Sequence, residues 1–339
     1  AAPAVLDAAV LLVKENKFDE AEEKIKKVLL DAPDLPDAYY FKGVLEYSRG
    51  EYTKAFSSFK AYEDKIVYGI VPQYPVVQVN GIMKSLFRMQ AIGLNTVDFY
   101  EIRTFFVNNK LPQLVSITDI KIEEYFTKYL NNCRKISPDI VLSKKDGVIS
   151  VSLEKLKNKT NLSGLSMIPI SEINLENSWV KDISFLNKTF LKKIILNGCA
   201  LDNYNQVASL SALEWVELAD TEIKEIGFLK GLKLKGLNLA NSLVSDLTPV
   251  EDQPIWNLDI TGLPIQDISN LSKMPLTTLR MGNTKALNLE PLKNKKLEWL
   301  SIWQTGIKSL KEVKSQPLIH LDIENTLITD LSDLVGSSV

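Results

Sequence analysis

The stretch LEWLSIWQT, residues 297–305, decides the fold because it carries a β-strand pattern with two tryptophans in unexpected places. Leu297, Leu300 and Ile302 lie where a strand would bury its apolar side chains. Trp299 and Trp303 fall between them, on the side that a half-buried strand usually exposes to water. The meaning of these tryptophans depends on whether the pattern recurs elsewhere in the chain.

The pattern Leu-x-x-Leu-x-Leu, with Ile or Val allowed at its apolar positions, recurs nine times in the second half of the chain. Successive copies are separated by 21 or 22 residues. Such a constant step predicts a repeated structural unit, with one strand per turn stacked into a parallel sheet. The copies start at Val148, Ile170, Leu191, Leu213, Leu234, Ile255, Leu276, Leu297 and Leu318.

A polar residue follows each predicted strand, and an Asp-Ile or Asp-Leu pair follows in four copies, as in Asp246-Leu247. This region resembles the leucine-rich repeat fold, and the T-x-I-x-D-[IL] pattern resembles its internalin-type short class. The resemblance implies a concave parallel sheet. We expect the polar side chains to satisfy backbone groups, with Cys199 as a buried thiol in one copy and Leu263 as the exception. The polar positions are Ser178, Cys199, Thr221, Ser242, Thr284, Thr305 and Thr326.

A second, longer repeat lies at the start of the chain. Residues 17–33 (KFDEAEEKIKKVLLDAP) align with residues 51–65 (EYTKAFSSFKAYEDK) at a shift of 34 positions. The apolar spacing is helical, and small residues fall where two helices would meet. The segment resembles tetratricopeptide repeats, and the resemblance is carried by Pro33, Tyr39, Gly43, Gly50 and Ala55.

The sequence therefore predicts an α+β repeat protein: helical hairpins followed by a leucine-rich-repeat solenoid. We expect two tetratricopeptide-like repeats in residues 1–66. Residues 67–139 are expected to hold further helices, namely a degenerate hairpin and a cap for the solenoid, including a helix over 118–135 with Thr118 as N-cap. Residues 140–339 are expected to form the leucine-rich repeat domain of about nine turns.

Composition argues against several functional classes. Lys and Arg total 40 against 42 Asp and Glu, so no net positive charge favours nucleic acid. Two cysteines and one histidine leave little for metal or catalytic sites, and no cofactor motif is present. We therefore predict a protein that is not an enzyme and has no catalytic residue, cofactor, metal or transmembrane segment. The start AAPAVLD fits a removed signal peptide or a fragment of a larger protein, so the compartment stays open.

Four of the five tryptophans are predicted to project from the concave sheet face, where aromatic and charged side chains typically form an interaction hot spot. We predict a non-enzymatic binding or scaffold module that recognises a protein or peptide there. One alternative is cross-strand packing of the tryptophans; another is a ligand-sensing region of a larger receptor or signalling protein, in which tryptophans stack on a glycan. The candidate residues are Trp215, Glu217, Trp256, Asp259, Arg280, Trp299, Trp303, His320 and Asp322.

The helical region offers a second, weaker candidate. At the inner helix positions where some tetratricopeptide proteins bind a terminal carboxylate, this chain has apolar residues. They predict either an apolar peptide groove or packing against the next hairpin. These positions are Leu6, Val10, Tyr40 and Val44.

Overall fold

The computed structural model describes residues 2–154, 156, 159–186 and 190–334. The chain divides into two compact units. The first runs up to Leu130 and includes Lys144–Gly147, and the second comprises Asn131–Ser143 and the residues from Val148 onward. The first unit is helical and the second is rich in strands, which confirms an α+β repeat protein. Within the described residues, no helix combines the length and the apolar character needed to cross a membrane.

Seven helices account for most of the first unit, and they pack largely as consecutive pairs, α1 with α2, α3 with α4 and α5 with α6. Small residues lie where paired helices approach. A side chain at Gly43 would place its Cβ 3.0 Å from the ring of Phe59. The helices are α1 Ala2–Lys14, α2 Phe18–Asp31, α3 Pro36–Ser48, α4 Tyr52–Val67, α5 Asn80–Ile92, α6 Thr96–Asn108 and α7 Pro112–Ile136.

The predicted start of the last helix is wrong. α7 begins at Pro112, a residue well suited to the first helical position, and Thr118 lies inside the helix. Its side chain is fully buried, donates a hydrogen bond to the Leu114 carbonyl at 2.6 Å and contacts the Tyr47 hydroxyl at 3.0 Å. The hydroxyl that looked like a cap is therefore part of a buried polar pair between α3 and α7.

The inner helix positions belong to the core. Leu6, Val10, Tyr40 and Val44 are all buried in the helical core, so these side chains are not open to a bound peptide. The extended segment 70–79 lies against the same helices. The Gln73 amide donates to Asp37 at 2.6 Å, the Val77 amide donates to the Tyr62 hydroxyl at 2.8 Å, and Tyr74 packs edge-on against Phe41.

The second unit is built on a sheet whose strands follow chain order, with parallel pairing from β2 to β10. Strands β2 to β10 occupy the nine predicted copies. Strand β1 precedes the Asp146–Gly147 turn and lies outside the nine predicted copies. The strands are β1 Val141–Lys145, β2 Val148–Ser152, β3 Glu172–Asn174, β4 Lys193–Ile195, β5 Trp215–Glu217, β6 Gly236–Asn238, β7 Asn257–Asp259, β8 Thr278–Arg280, β9 Trp299–Ser301 and β10 His320–Asp322.

Each turn after strands β3 to β10 leaves its strand through one residue in the left-handed backbone region, where Gly and Asn are least costly. At Gly198 a Cβ would come 2.2 Å from Asn177 Oδ1, so a side chain in this copy would displace the Asn177 amide. The regular Asn, Gly or Asp at this place is a sequence signal that the strand pattern alone did not reveal. These residues are Asn177, Gly198, Asp220, Asn241, Gly262, Asn283, Gln304 and Asn325.

The polar residue that follows the left-handed one ties the turn to the strand. In four copies a threonine hydroxyl donates to the carbonyl three residues earlier: Thr221, Thr284, Thr305 and Thr326, at 2.7–2.9 Å. The Cys199 thiol instead donates across to the preceding repeat, to the Leu175 carbonyl at 2.8 Å, and burial raises the pKa of this thiol. This confirms the expected backbone role. Ser242 is different, because its buried hydroxyl has no partner among the described residues.

The Asp of each Asp-Ile or Asp-Leu pair starts a short 3-10 turn. The Asp182 carboxylate accepts a hydrogen bond from the Ser184 amide at 2.9 Å. Asp246, Asp267 and Asp330 each accept the same bond from the backbone amide two residues later. The Ser184 amide favours the ionised form of the Asp182 carboxylate. The hydrogen bond from the Ser184 backbone accordingly holds the pKa of Asp182 below its usual value.

Two substitutions at the polar position test its role. Thr305→Val should lower the free energy of unfolding by about 1–3 kcal/mol, because it leaves the Ile302 carbonyl without its donor at nearly constant volume. Ser242→Ala is the matched control and should cause no loss, since it removes a hydroxyl without a partner. Urea denaturation of both variants measures the difference. Equal losses would contradict the assigned role.

Acid stability tests the Asp turns. Because the folded pKa of Asp182 is depressed, its contribution is present above the unfolded pKa and is lost as pH falls through the folded value. Asp182→Asn keeps an acceptor for the Ser184 amide but does not titrate. The variant should therefore lose less stability than the parent between about pH 5 and pH 2. Denaturation midpoints across this range provide the measurement, and identical slopes would refute the expectation.

Candidate functional site

The candidate residues lie mainly in two parallel rows. We call the surface made by strand residues on either side of the buried central residue, together with Trp256 just before β7 and Trp303 just after β9, the sheet face. Neighbours within a row come from adjacent strands and are separated by roughly 4.8 Å. From β3 to β10, the first row carries Glu172, Lys193, Trp215, Gly236, Asn257, Thr278, Trp299 and His320. The second row carries Asn174, Ile195, Glu217, Asn238, Asp259, Arg280, Ser301 and Asp322.

Trp215 is held from three sides. Its ring lies over Gly236 on the next strand, where a Cβ would come 2.0 Å from the indole. The ring of Trp256 meets it at 86° with 5.3 Å between centroids, and the Lys193 ammonium lies 5.9 Å from its centroid. Because Gly236 has no side chain, the Trp215 indole can lie over β6. It thereby reaches Trp256, which lies just before β7.

Trp299 lies between two other candidates. The His320 ring stacks on it at 3.7 Å and 18°, and the Arg280 guanidinium lies 5.3 Å from its centroid. The three side chains come from β8, β9 and β10 and form one stack across the sheet. Such cation–π and aromatic contacts fix the orientation of the arginine as well as contributing stability.

Trp303 follows β9 and turns back over the preceding copy. A Cβ at Gly282 would come 2.2 Å from Trp303 Nε1, so glycine again makes room for an indole. No ring contact among the described residues joins Trp303 to the Trp215–Trp256 pair or to Trp299. The sheet face thus carries three separate aromatic elements. Trp256 and Trp299 are the most exposed of its tryptophans, at 38% and 37%.

The three candidate carboxylates already have structural partners. Glu217 forms an ion pair with Lys193 at 2.6 Å. Asp259 accepts from the Thr261 amide at 3.0 Å. Asp322 accepts from the Ser301 hydroxyl at 3.0 Å and from the Glu324 amide at 3.2 Å. These residues are placed on the predicted face, but each also stabilises the local turn or strand pair.

Arg280 differs from these carboxylates. No hydrogen bond or ion pair connects its guanidinium to another residue in the described part of the chain, although Asp259 is its direct neighbour in the row. It borders a depression of about 190 Å³ that also involves Trp215 and Asp259. Among the candidate residues, Arg280 therefore both lines this depression and lies against the Trp299 ring. Asn238 and Asn257 contribute polar atoms to its floor.

Sequence reasoning identified the aromatic residues but missed their supports. Lys193, Gly236 and Gly282 were not singled out, although a glycine one repeat from a tryptophan is a usable signal. The cross-strand packing considered as an alternative is present for Trp215, Trp256 and Trp299. Whether the same face also binds a partner stays a prediction. Among the described residues, no three His, Cys, Asp or Glu side chains are grouped as a metal site would require.

Comparisons with known proteins find similarity only among solved structures. No protein-family model matches the chain, and a search of curated proteins finds no match. A crystal structure of internalin C2 from Listeria monocytogenes has 21% identity over 54% of this chain and 80% of that chain, with a TM-score of 0.46. An internalin (inlF) from the same species has 22% identity over 55% and 69%, with a TM-score of 0.40. These scores are too low to assign a family or a function.

The glycine beneath Trp215 provides a test of this arrangement. Gly236→Ala should lower the free energy of unfolding by about 1–3 kcal/mol and change the near-ultraviolet dichroism, because the indole must leave its place. Gly227→Ala is the matched control, since a Cβ there meets nothing within 4 Å. A Gly236→Ala protein with unchanged stability and aromatic dichroism would show that the indole does not lie over this strand.

Proposed function

We propose that this protein is a non-enzymatic interaction module whose sheet face recognises a protein or peptide partner. The observation that carries the proposal is the arrangement of Trp256 and Trp299, which are held by neighbouring side chains yet remain more than a third exposed. Aromatic side chains whose rotamers are already fixed lose little entropy on binding, which is why they serve as anchors in interfaces.

The surroundings of the tryptophans support a protein partner. Trp299 has a close neighbour from each flanking strand: the His320 ring of β10 stacks on it, and the Arg280 guanidinium of β8 lies 5.3 Å from its centroid. A sugar ring usually stacks on an open aromatic face. Because His320 and Arg280 lie close to the Trp299 ring, less of that face is open to a sugar. In protein interfaces, partly covered aromatic rings often contact the partner next to charged groups. Arg and Trp are among the residues most enriched in interface hot spots.

The proposal also includes the finer assignment of the helical region. Its first two hairpins resemble tetratricopeptide repeats, with Gly43 at the close helix contact and Gly50 at the turn. The three-part division into residues 1–66, 67–139 and 140–339 belongs to this proposal as well. Since the inner positions are buried, we assign partner recognition to the sheet face and not to the helices.

Glycan sensing is a second candidate, favoured by one observation. The depression of about 190 Å³ beside Trp215 contains amide and carboxylate groups from Asn238, Asn257 and Asp259, a combination that can hydrogen-bond a sugar. Titration of tryptophan fluorescence with neutral oligosaccharides separates the two candidates. A saturable change would favour the glycan, and a flat response would remove it.

The double variant Trp256→Ala/Trp299→Ala tests the proposal. In quantitative co-purification, most proteins that bind the parent chain should no longer bind the variant. The reason is that both exposed anchors, Trp256 and Trp299, are removed. Its melting temperature should fall by less than about 5 °C, since cross-strand aromatic pairs contribute only roughly 0.2–1 kcal/mol each.

Leu243→Ala is the matched control for this experiment. It removes a 48% exposed apolar side chain that follows β6 and lies outside the sheet face. It should leave both the retained proteins and the melting temperature unchanged. If the tryptophan double variant unfolds much earlier while its retained proteins are the same as those of the parent, the tryptophans are structural and the proposal fails.

A further inference from the structure

We infer that the sheet face binds its protein partner through a carboxylate side chain that pairs with Arg280. This inference rests on the proposed function and specifies the chemistry of the partner. Its basis is the contrast between Arg280 and the other charged candidates. Glu217, Asp259 and Asp322 all have a partner within the chain, whereas the guanidinium of Arg280 has none among the described residues.

The stack around Trp299 prepares Arg280 for such a contact. The Arg280 guanidinium lies over the Trp299 ring at 5.3 Å from its centroid, and the His320 ring stacks on the same indole at 3.7 Å. A guanidinium stacked on an aromatic ring keeps the N–H groups at its rim available, and these match the two oxygens of a carboxylate. The side chain is also half-buried, so less water competes for it than at a fully exposed position.

The position of Arg280 also fits a central contact. It lies between the Trp215–Trp256 pair and Trp299, and so between the two most exposed tryptophans of the face. Charged groups that determine specificity are commonly flanked by aromatic anchors that exclude water. A partner segment with an Asp or Glu between two apolar side chains would fit this arrangement. Its carboxylate would pair with Arg280, and its apolar side chains would contact the Trp215–Trp256 pair and Trp299.

Asp259 limits the affinity of this contact in a testable way. Its carboxylate is the row neighbour of Arg280, so it repels an incoming carboxylate. One of its oxygens caps the turn by accepting from Thr261 N. In two other copies Asn174 and Asn238 make the same turn contact, to Glu176 and Ala240. Asp259→Asn should therefore keep the turn while removing the repulsion.

The experiment uses the full chain and a phage-displayed library of random linear peptides as the probe. Peptides selected on the parent protein should be enriched in Asp or Glu next to apolar or aromatic residues. Arg280→Gln should weaken their binding about tenfold, and Asp259→Asn should strengthen it about two- to threefold. Arg134→Gln, which removes the same charge from an exposed position on α7, is the matched control and should leave the affinity unchanged.

A double-mutant cycle separates pairing from a structural effect. Changing the acidic residue of a selected peptide to its amide should cost about tenfold on the parent protein and almost nothing on Arg280→Gln. Equal costs on both proteins would overturn the inference. So would selected peptides without acidic residues, a failure to select any peptide, or Arg280-dependent binding seen only with inorganic phosphate or sialylated oligosaccharides.

The tryptophan double variant keeps the two proposals distinguishable. If peptides bind through Trp256 and Trp299 but are insensitive to Arg280→Gln, the proposed function stands and the carboxylate inference fails. If peptide binding is insensitive to Trp256→Ala/Trp299→Ala as well, the sheet face is not the recognition surface, and both proposals fail.

Discussion

The parallel register of the sheet is the constraint on which the second unit depends. Every repeat has nearly the same length, so residues separated by one repeat become direct neighbours on adjacent strands. The register is supported by the left-handed residue that follows each strand from β3 to β10, and in five of these turns also by a hydroxyl or thiol that bonds a carbonyl. Side chains far apart in sequence, such as Arg280, Trp299 and His320, can then stack across the sheet.

On the sheet face, the packing role of the aromatic residues does not conflict with the recognition role proposed for them. Trp215 and Trp299 contribute to cross-strand packing, and this packing also fixes the rings in place. A side chain that is already immobile needs less ordering when a partner binds. Structural support and recognition are therefore compatible at the same residue. The two depend on different atoms, since the covered parts of the rings supply the packing and the exposed parts are those proposed to contact the partner.

The sequence was sufficient to predict the repeat and the direction of the side chains, because leucine spacing specifies which strand positions are buried. It could not show that Glu217 pairs with Lys193 or that Asp322 binds Ser301, since those choices depend on side-chain conformations across neighbouring turns. Thr118 shows a similar limit. Its short-range pattern suited a helix cap, but the helix starts at Pro112 and burial against Tyr47 determines the role of its hydroxyl.

The glycines under the indoles have a consequence for how this surface could change in evolution. Trp215 and Gly236 lie on adjacent strands, as part of a local unit that depends only on neighbouring turns. Duplication or loss of one complete repeat elsewhere would leave that unit intact. It would also move the aromatic elements apart or together by one strand spacing, about 4.8 Å. Changes in repeat number could thus adjust the spacing between the tryptophan elements of the sheet face in discrete steps. The local packing of each element would stay the same.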